Sequence, residues 1–147
     1  MPTINVYLTF NGNCRKAFEF YKSVFGGEFQ NLSTFGEMPP QEGMPPIAEE
    51  MKNNLMHVSL PISDETVLMG SDTGGWGPEL NVGNNFSISV NADSNEETDK
   101  IFNALSAGGT ITMPLANTFW GSYFGMLTDK FGINWMVSHD TQQQSYN

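Results

Sequence analysis

Hydrophobic and polar residues alternate with a period of two near the start of the chain, which predicts a β-strand over residues 4–10. The apolar positions of that strand are Ile4, Val6, Leu8 and Phe10. After a polar break the spacing becomes helical, because apolar residues recur at i, i+3, i+4 and i+7 from Cys14 onward. This spacing predicts a helix with Asn13 as its N-cap, ended by the glycine pair at residues 26–27.

Three more strands are predicted in the first half of the chain, and the same order of elements then recurs in the second half. The first-half strands cover residues 28–35, 55–62 and 66–70. The second half begins with a strand over residues 85–91 and a helix that is closed by Gly108 and Gly109, and its later strands cover residues 110–113, 122–128 and 134–138. Corresponding features are separated by 80 to 84 residues, as in a duplicated unit with small insertions. The pattern therefore predicts a tandem β-α-β-β-β module.

The repeat predicts an α+β fold in which one domain, residues 1–147, is built from two modules. We place the modules at about residues 3–72 and 84–139, with a glycine-rich linker over residues 73–83. Joined edge to edge, the modules would form a curved mixed sheet with a concave inner face. The polar positions of the strands alternate with aliphatic ones, which indicates that the inner face meets water or a ligand instead of a dry core. These inner positions include Asn5, Tyr7, His57, Ser59, Asn85 and Ser87.

The composition is that of a folded domain with an acidic surface. Of 147 residues, 39% are hydrophobic, and sixteen Asp and Glu against six Lys and Arg give a net charge of −10 with neutral histidines. This charge disfavours nucleic acid and membrane surfaces as partners. The single cysteine cannot form an internal disulfide, and no leader segment or membrane-spanning run is evident. We therefore expect a cytoplasmic protein.

Two stretches of the sequence resemble a known superfamily. Residues 17–27, Ala-Phe-Glu-Phe-Tyr-Lys-Ser-Val-Phe-Gly-Gly, follow the first strand and an Asn-Gly-Asn turn. This opening resembles that of vicinal oxygen chelate proteins, which include glyoxalase I, bleomycin-resistance proteins and extradiol dioxygenases. Residues 119–135, with Trp-Gly followed by Asp-x-Phe-Gly-x-x-Trp, resemble the PhnB-like branch more narrowly. The resemblance extends from Ile4 to about His139 and implies a paired β-α-β-β-β fold that assembles as a homodimer.

The resemblance also implies where the metal-using members hold a divalent ion. Their ligands are His or Glu side chains on the first and last strands of both modules. In this sequence the corresponding positions fall near Asn5, Met69, Asn85 and Met136. Because amides are weak ligands and thioethers prefer soft ions, we expect no metal cofactor here, and the two methionines would fill the space with apolar volume.

Some PhnB-like sequences carry methyltransferase labels. A nucleotide-like cofactor is commonly cradled by a glycine-rich loop between a strand and a helix, and this sequence has no such loop. We therefore expect no organic cofactor either.

Several residues are candidates for a ligand pocket, and each has a structural alternative. His57 is either an acid, base or hydrogen-bonding group of the pocket or a half-buried histidine satisfied by a backbone carbonyl. Tyr7 either donates to a ligand oxygen or packs against Met69 or Met136. Trp120 is either an aromatic wall for a flat ligand or a core or dimer-interface residue. The predicted pocket consists of Asn5, Tyr7, His57, Met69, Asn85, Ser87, Trp120 and Met136, with no catalytic residue assigned.

The first functional hypothesis is a homodimer that binds a small organic molecule, neutral or cationic, in a metal-free and partly apolar pocket. The alternative is a metal-dependent lyase, isomerase or dioxygenase of the same superfamily, with a rearranged site that uses His57. A third hypothesis, a purely structural interaction module, leaves the polar inner rows unexplained. The missing His and Glu ligands favour the first hypothesis.

Overall fold

The computed structural model describes residues 2–37, 39, 43, 46–74 and 79–140. Its contacts divide the chain into unit 1, Met1–Asn81, and unit 2, Val82–Asn147. Part of the predicted linker, residues 75–78, lies outside the described residues. Each unit contains one four-stranded mixed sheet and one long helix, which confirms the α+β fold class and the repeated order of elements. Within the described residues, no helix is both long and apolar enough to cross a membrane.

Unit 1 packs its helix against one face of its sheet. Its elements are β1 (Val6–Phe10), α1 (Cys14–Phe25), β2 (Gln30–Thr34), β3 (Leu55–Pro61) and β4 (Val67–Asp72). The strand order is β1-β4-β3-β2, with β1 parallel to β4 and the other pairs antiparallel. The predicted apolar stripe of α1 forms the core with side chains of the sheet. Its buried members are Cys14, Ala17, Phe18 and Tyr21, and the sheet adds Leu8, Val58, Leu60 and Leu68.

Unit 2 has the same arrangement. Its elements are β5 (Ile88–Asn91), α2 (Asn95–Ser106), β6 (Thr110–Asn117), β7 (Ser122–Thr128) and β8 (Asn134–Asp140). The strand order is β5-β8-β7-β6, again with a parallel first pair. Its core is built from apolar residues of α2, β7 and β8. The buried members include Phe102, Leu105, Leu127, Trp135 and Val137.

Of the predicted strands, only that over residues 122–128 has both of its predicted ends in the structure, and three of the others illustrate the reason. The first strand starts at Val6, and Ile4 is 94% exposed. The strand predicted over residues 85–91 starts only at Ile88, because its pairing with β8 begins there. The third difference is in β6, which continues to Asn117 through two irregularities in its pairing with β7. Each difference reflects where a partner strand is available.

The two helices begin in different ways. Asn13 occupies the N-cap position of α1 as predicted, but its side chain makes no capping hydrogen bond. Instead, the buried Asp72 carboxylate accepts the backbone N–H groups of Gly12 at 2.8 Å and of Cys14 at 3.0 Å. In α2 the capping is local, since Ser94 Oγ accepts the backbone N–H of Glu97 at 3.0 Å.

Candidate functional site

Each sheet has one face against its helix and a second face, here called the far face, directed away from it. Gly70 belongs to the helix-facing side of unit 1, because a Cβ at that position would lie 2.6 Å from Phe18 of α1. Side chains alternate along a strand, so Met69 lies on the far face. In unit 2, Gly125 approaches α2 in the same way. Met126 therefore lies on the far face of unit 2.

The far face of unit 1 carries a group of polar side chains. Strand pairing aligns Tyr7, Met69 and Ser59 in one row across β1, β4 and β3. Ser59 Oγ lies 2.9 Å from Nε2 of His57, and the Tyr7 and His57 ring centroids are 5.9 Å apart. We call these four residues the polar cluster. The structure thus brings together three predicted pocket residues, Tyr7, His57 and Met69, and adds Ser59.

The polar cluster can both form hydrogen bonds and pack against a ring. Ser59 is buried and holds one imidazole nitrogen of His57, so the ring orientation is fixed. Within the described residues, Nδ1 of His57 has no hydrogen-bond partner. Tyr7 is 47% exposed, and it presents a ring and a hydroxyl beside the half-buried Met69. A planar molecule with a hydrogen-bonding oxygen or nitrogen matches this combination.

Asn5 lies apart from the polar cluster. It precedes β1, is exposed, and its Oδ1 accepts the backbone N–H of Val67 at 3.4 Å. This bond joins the segment before β1 to the first residue of β4. The side-chain amide of Asn5 is thus engaged with the backbone of the neighbouring strand.

The far face of unit 2 is rich in sulfur at its centre, and two hydrogen-bonded polar pairs flank this centre, Ser138 with Asn91 and Thr128 with Asn134. Strand pairing aligns Ser89 with Met136, Met136 with Met126, and Met126 with Met113. We call the three methionines the methionine row. Met126 and Met136 are half-buried, and Met113 is 46% exposed. The unbranched thioether side chains provide an adaptable surface that favours contact with aromatic rings.

Aromatic residues lie next to the methionine row. Trp120 lies in the turn before β7 and is 51% exposed. Its ring centroid is 6.2 Å from that of Phe124, and 5.0 Å from that of Phe119. Phe124 shares the far face with Met126, because the two are separated by one residue on β7. The structure therefore places Trp120 next to a far-face aromatic residue.

Asn85 and Ser87 lie outside the strand to which they were assigned. Both precede β5, Asn85 being exposed and Ser87 half-buried. The pairing of Tyr7 with Met69 corresponds to that of Ser89 with Met136. Tyr7 therefore corresponds to Ser89, at an offset of 82 residues, which is the spacing of the two glycine pairs, whereas matching Asn5 to Asn85 gives 80.

Sequence reasoning left Ser59, Phe124 and Met126 out of the pocket. Ser59 was predicted to lie on the inner polar row but not in the pocket. Its hydrogen bond to His57 depends on the side-chain conformations of two residues of one strand, which the sequence pattern does not specify. Phe124 and Met126 alternate with Tyr123 and Gly125 in residues 122–128. That alternation, once the glycine is assigned to the helix-facing side, would have identified both residues.

The donor atoms present do not fit the divalent ion that the resemblance associates with this fold. The polar cluster offers a phenol, a hydroxyl, a thioether and one imidazole, and the far face of unit 2 offers thioethers together with neutral hydroxyls and amides. Mg and Mn favour carboxylate oxygens, and Fe(II) favours imidazole together with carboxylate. Among the described residues, no group of three or more His, Cys, Asp or Glu side chains could hold a metal ion.

The Asp-x-Phe-Gly-x-x-Trp motif has a structural role. The buried Asp129 accepts the backbone N–H groups of Phe131 at 2.8 Å and of Ile133 at 3.0 Å through Oδ1. Its Oδ2 accepts the indole N–H of Trp135 at 2.9 Å. One carboxylate thereby fixes the turn from β7 to β8 and orients the largest core side chain of unit 2. The motif shapes the sheet that carries the methionine row.

Comparisons with known proteins give one family. The family model described as 3-demethylubiquinone-9 3-methyltransferase matches residues 2–138. Protein YjdN of Escherichia coli strain K12 is 33% identical over 148 residues, which cover 97% of this chain and 98% of YjdN. The crystal structure of protein PA1353 from Pseudomonas aeruginosa has 39% identity and a TM-score of 0.82, with 97% of this chain and 100% of that chain covered.

A further solved structure is described as a putative 3-demethylubiquinone-9 3-methyltransferase, PhnB protein, from Bacillus cereus. It has 25% identity and a TM-score of 0.74, and the match covers 94% of this chain and 99% of that one. A glyoxylase/bleomycin resistance protein/dioxygenase domain from Frankia sp. EAN1pec has 14% identity and a TM-score of 0.63, over 98% of this chain and 95% of the domain. This last likeness confirms the superfamily fold expected from the sequence.

Proposed function

We propose that this chain, which belongs to the PhnB-like family described by the 3-demethylubiquinone-9 3-methyltransferase model, binds a small organic molecule without a metal ion. The polar cluster of unit 1 is the recognition element. The ligand class is a planar, neutral or cationic molecule with a hydrogen-bonding oxygen or nitrogen.

The observation that carries this proposal is the bond between His57 and the buried Ser59 on the far face. The helix-facing side of the same sheet has a complete apolar core, so the polar cluster is not needed to fill it. A buried hydroxyl that fixes an imidazole lowers the entropy lost when that imidazole binds a ligand. Tyr7, 5.9 Å from the imidazole, supplies an aromatic surface beside it.

The charge of the protein supports the ligand class. A net charge of −10 attracts cations and repels anions at long range, although salt weakens this preference. The methionine row and Trp120 favour aromatic molecules by dispersion and sulfur–ring contact. Both unit surfaces therefore favour a ring-containing ligand, and neither favours a polyanion.

We propose no methyl-transfer activity for this chain, although the family description names one. The turn between β1 and α1 has one glycine, and its N–H is bound by Asp72 at 2.8 Å, so it is not available to a nucleotide-like cofactor. The turn from β5 to α2, residues 92–94, contains no glycine. Neither turn resembles the glycine-rich loops that bind such cofactors.

We further propose that the protein acts in the cytoplasm as a homodimer with no nucleic-acid or membrane partner. The acidic charge and the single cysteine support the location and the partners. The PhnB-like resemblance supports the dimer. Light scattering of the purified chain tests the assembly.

The binding proposal is tested by a thermal-shift screen of small aromatic and cationic compounds, followed by calorimetric titration of the hits. We expect His57→Ala to weaken binding by about tenfold or more, because one hydrogen bond and one ring contact are lost. His139→Gln is the matched control, since His139 lies on β8 and its Nδ1 already bonds the carbonyl of Ala92 at 2.8 Å. It should leave the affinity unchanged.

Two outcomes would overturn the proposal. The first is a screen in which no compound stabilises the protein, which would favour an interaction module. The second is stoichiometric transition metal in protein purified without chelators, lost together with activity in His57→Ala. That result would favour the metal-dependent lyase, isomerase or dioxygenase.

A further inference from the structure

The turn from β1 to α1 contains a chemically labile dipeptide. Asn11-Gly12 is the one Asn-Gly pair in the sequence. In a flexible chain, the glycine nitrogen attacks Cγ of the preceding asparagine, since glycine has no Cβ to obstruct it. The new N–Cγ bond forms as the Cγ–Nδ2 bond breaks, and the amide proton leaves with ammonia. Water then opens the cyclic imide to give aspartate or isoaspartate.

Both reacting groups are engaged in the folded protein. The N–H of Gly12 donates to Asp72 Oδ1 at 2.8 Å. The Asn11 side chain accepts the Thr73 hydroxyl at Oδ1, at 3.2 Å. Asn11 and Gly12 are exposed, so water reaches the turn. The two reacting groups are therefore restrained by their hydrogen bonds and not by burial.

We propose that Asn11 is a latent deamidation site that Asp72 keeps unmodified while the turn is closed. The Gly12 nitrogen must lose its proton and turn toward Cγ before it can attack. Either change breaks its charge-assisted bond to Asp72, which also accepts the N–H groups of Cys14 and Leu55. The reaction therefore proceeds only from molecules in which this turn has opened.

The modification would prevent the turn from closing again. A carboxylate at position 11 adds negative charge close to that of Asp72. Isoaspartate also lengthens the main chain by one methylene between β1 and α1. The Gly12 and Cys14 N–H groups then lose their alignment with Asp72, and the buried Cys14 thiol becomes accessible. Modified molecules are thus recognisable by a reactive Cys14.

The first test compares the whole protein with a synthetic peptide of residues 4–18 at physiological pH and temperature. Peptide mapping by mass spectrometry measures aspartate and isoaspartate at position 11 over time. We expect modification in the folded protein to be slower by about tenfold or more, because only open molecules react. Equal rates in protein and peptide would overturn the proposal.

The second test asks whether Asp72 is responsible. Asp72→Asn removes the charge while it keeps one acceptor oxygen, and we expect modification to accelerate about fivefold or more. Asp64→Asn is the matched control, because Asp64 is exposed in the turn between β3 and β4 and should not alter the rate. A folded Asp72→Asn protein that is modified at the wild-type rate contradicts the proposal.

A third measurement applies to the wild-type protein and holds even if Asp72→Asn fails to fold. Hydrogen exchange at the Gly12 amide reports opening of the same turn. The deamidation rate and this exchange rate should rise in parallel as urea is added below the unfolding transition. A deamidation rate independent of the exchange rate would show that the closed turn reacts, which contradicts the proposal.

Discussion

Units 1 and 2 share a strand order but carry different chemistry on their far faces. In the first unit the central row is Tyr7, Met69 and Ser59, with His57 bonded to the serine. In the second unit the corresponding row is Ser89, Met136 and Met126. The helix-facing sides are apolar in both. The core thus constrains one face of each sheet, whereas the centre of the other face carries a phenol, an imidazole and a buried hydroxyl in unit 1 and thioethers in unit 2.

The starts of the two helices differ in the same way. Asp72, at the end of β4, accepts N–H groups of the turn before α1, although it is distant from that turn in the sequence. The corresponding position in β8 is His139, whose Nδ1 bonds the Ala92 carbonyl at 2.8 Å. The start of α2 instead depends on Ser94 within its own turn. Unit 1 therefore relies on a long-range contact where unit 2 relies on a local one.

The largest expected effect concerns the thiol of unit 1. Burial raises the pKa of Cys14 from its ordinary 9.0 to about 12, and the Asp72 carboxylate adds to the rise against the opposing effect of Arg15. This rise lowers the thiolate fraction at neutral pH by about a thousandfold. We expect maleimide labelling of the folded protein to be slower than that of a cysteine peptide by at least this factor.

The same pKa shift predicts how stability depends on pH. The folded state holds its thiol proton more tightly than the unfolded state does, so the contribution to stability is complete below pH 9.0 and declines as the pH rises toward about 12. At pH 8 the rate of maleimide labelling at Cys14 should therefore report the opening of unit 1. The rate of hydrogen exchange at the backbone amides of β7 and β8 should report the opening of unit 2. Labelling of the folded protein as fast as the peptide would show that Cys14 is not enclosed.

The next effect compares the glycines that face the two helices. A Cβ at Gly70 would lie 2.8 Å from the backbone oxygen of Leu8, as well as close to Phe18. At Gly125 the neighbours are side-chain atoms of Phe102 and Leu115, at 2.7 and 3.0 Å, which can move. We expect Gly70→Ala to lower the free energy of unfolding by ~3 kcal/mol and Gly125→Ala by ~1 kcal/mol, measured by urea denaturation.

Gly83→Ala is the control for both substitutions. Its nearest neighbour to a new Cβ is 3.8 Å away, so the free energy of unfolding should change by less than ~0.5 kcal/mol. If Gly125→Ala costs as much as Gly70→Ala, the two helix-facing sides are equally rigid. The contrast drawn from the Leu8 backbone oxygen would then be wrong.

The sequence was sufficient to predict the elements because the core-forming periodicities are local. The α1 stripe from Cys14 to the glycine pair was predicted correctly, and so was the strand over residues 122–128. The start of β5 was predicted incorrectly, because it depends on which residues of β8 are available for pairing. Likewise, the roles of Asp72 and Asp129 depend on N–H groups that the fold brings together. Long-range polar contacts leave no periodic pattern in a single sequence.

The smallest expected effect tests the difference between the helix starts. Ser94→Ala removes the side-chain oxygen that accepts the Glu97 N–H, and we expect a loss of ~1 kcal/mol in the free energy of unfolding. Asn13→Ala should cost less than ~0.5 kcal/mol, because its side chain makes no capping bond and Asp72 already holds the turn. Urea denaturation of both variants measures the two losses side by side. Equal losses would mean that Asn13 caps α1 after all, and that the start of this helix is as local as that of α2.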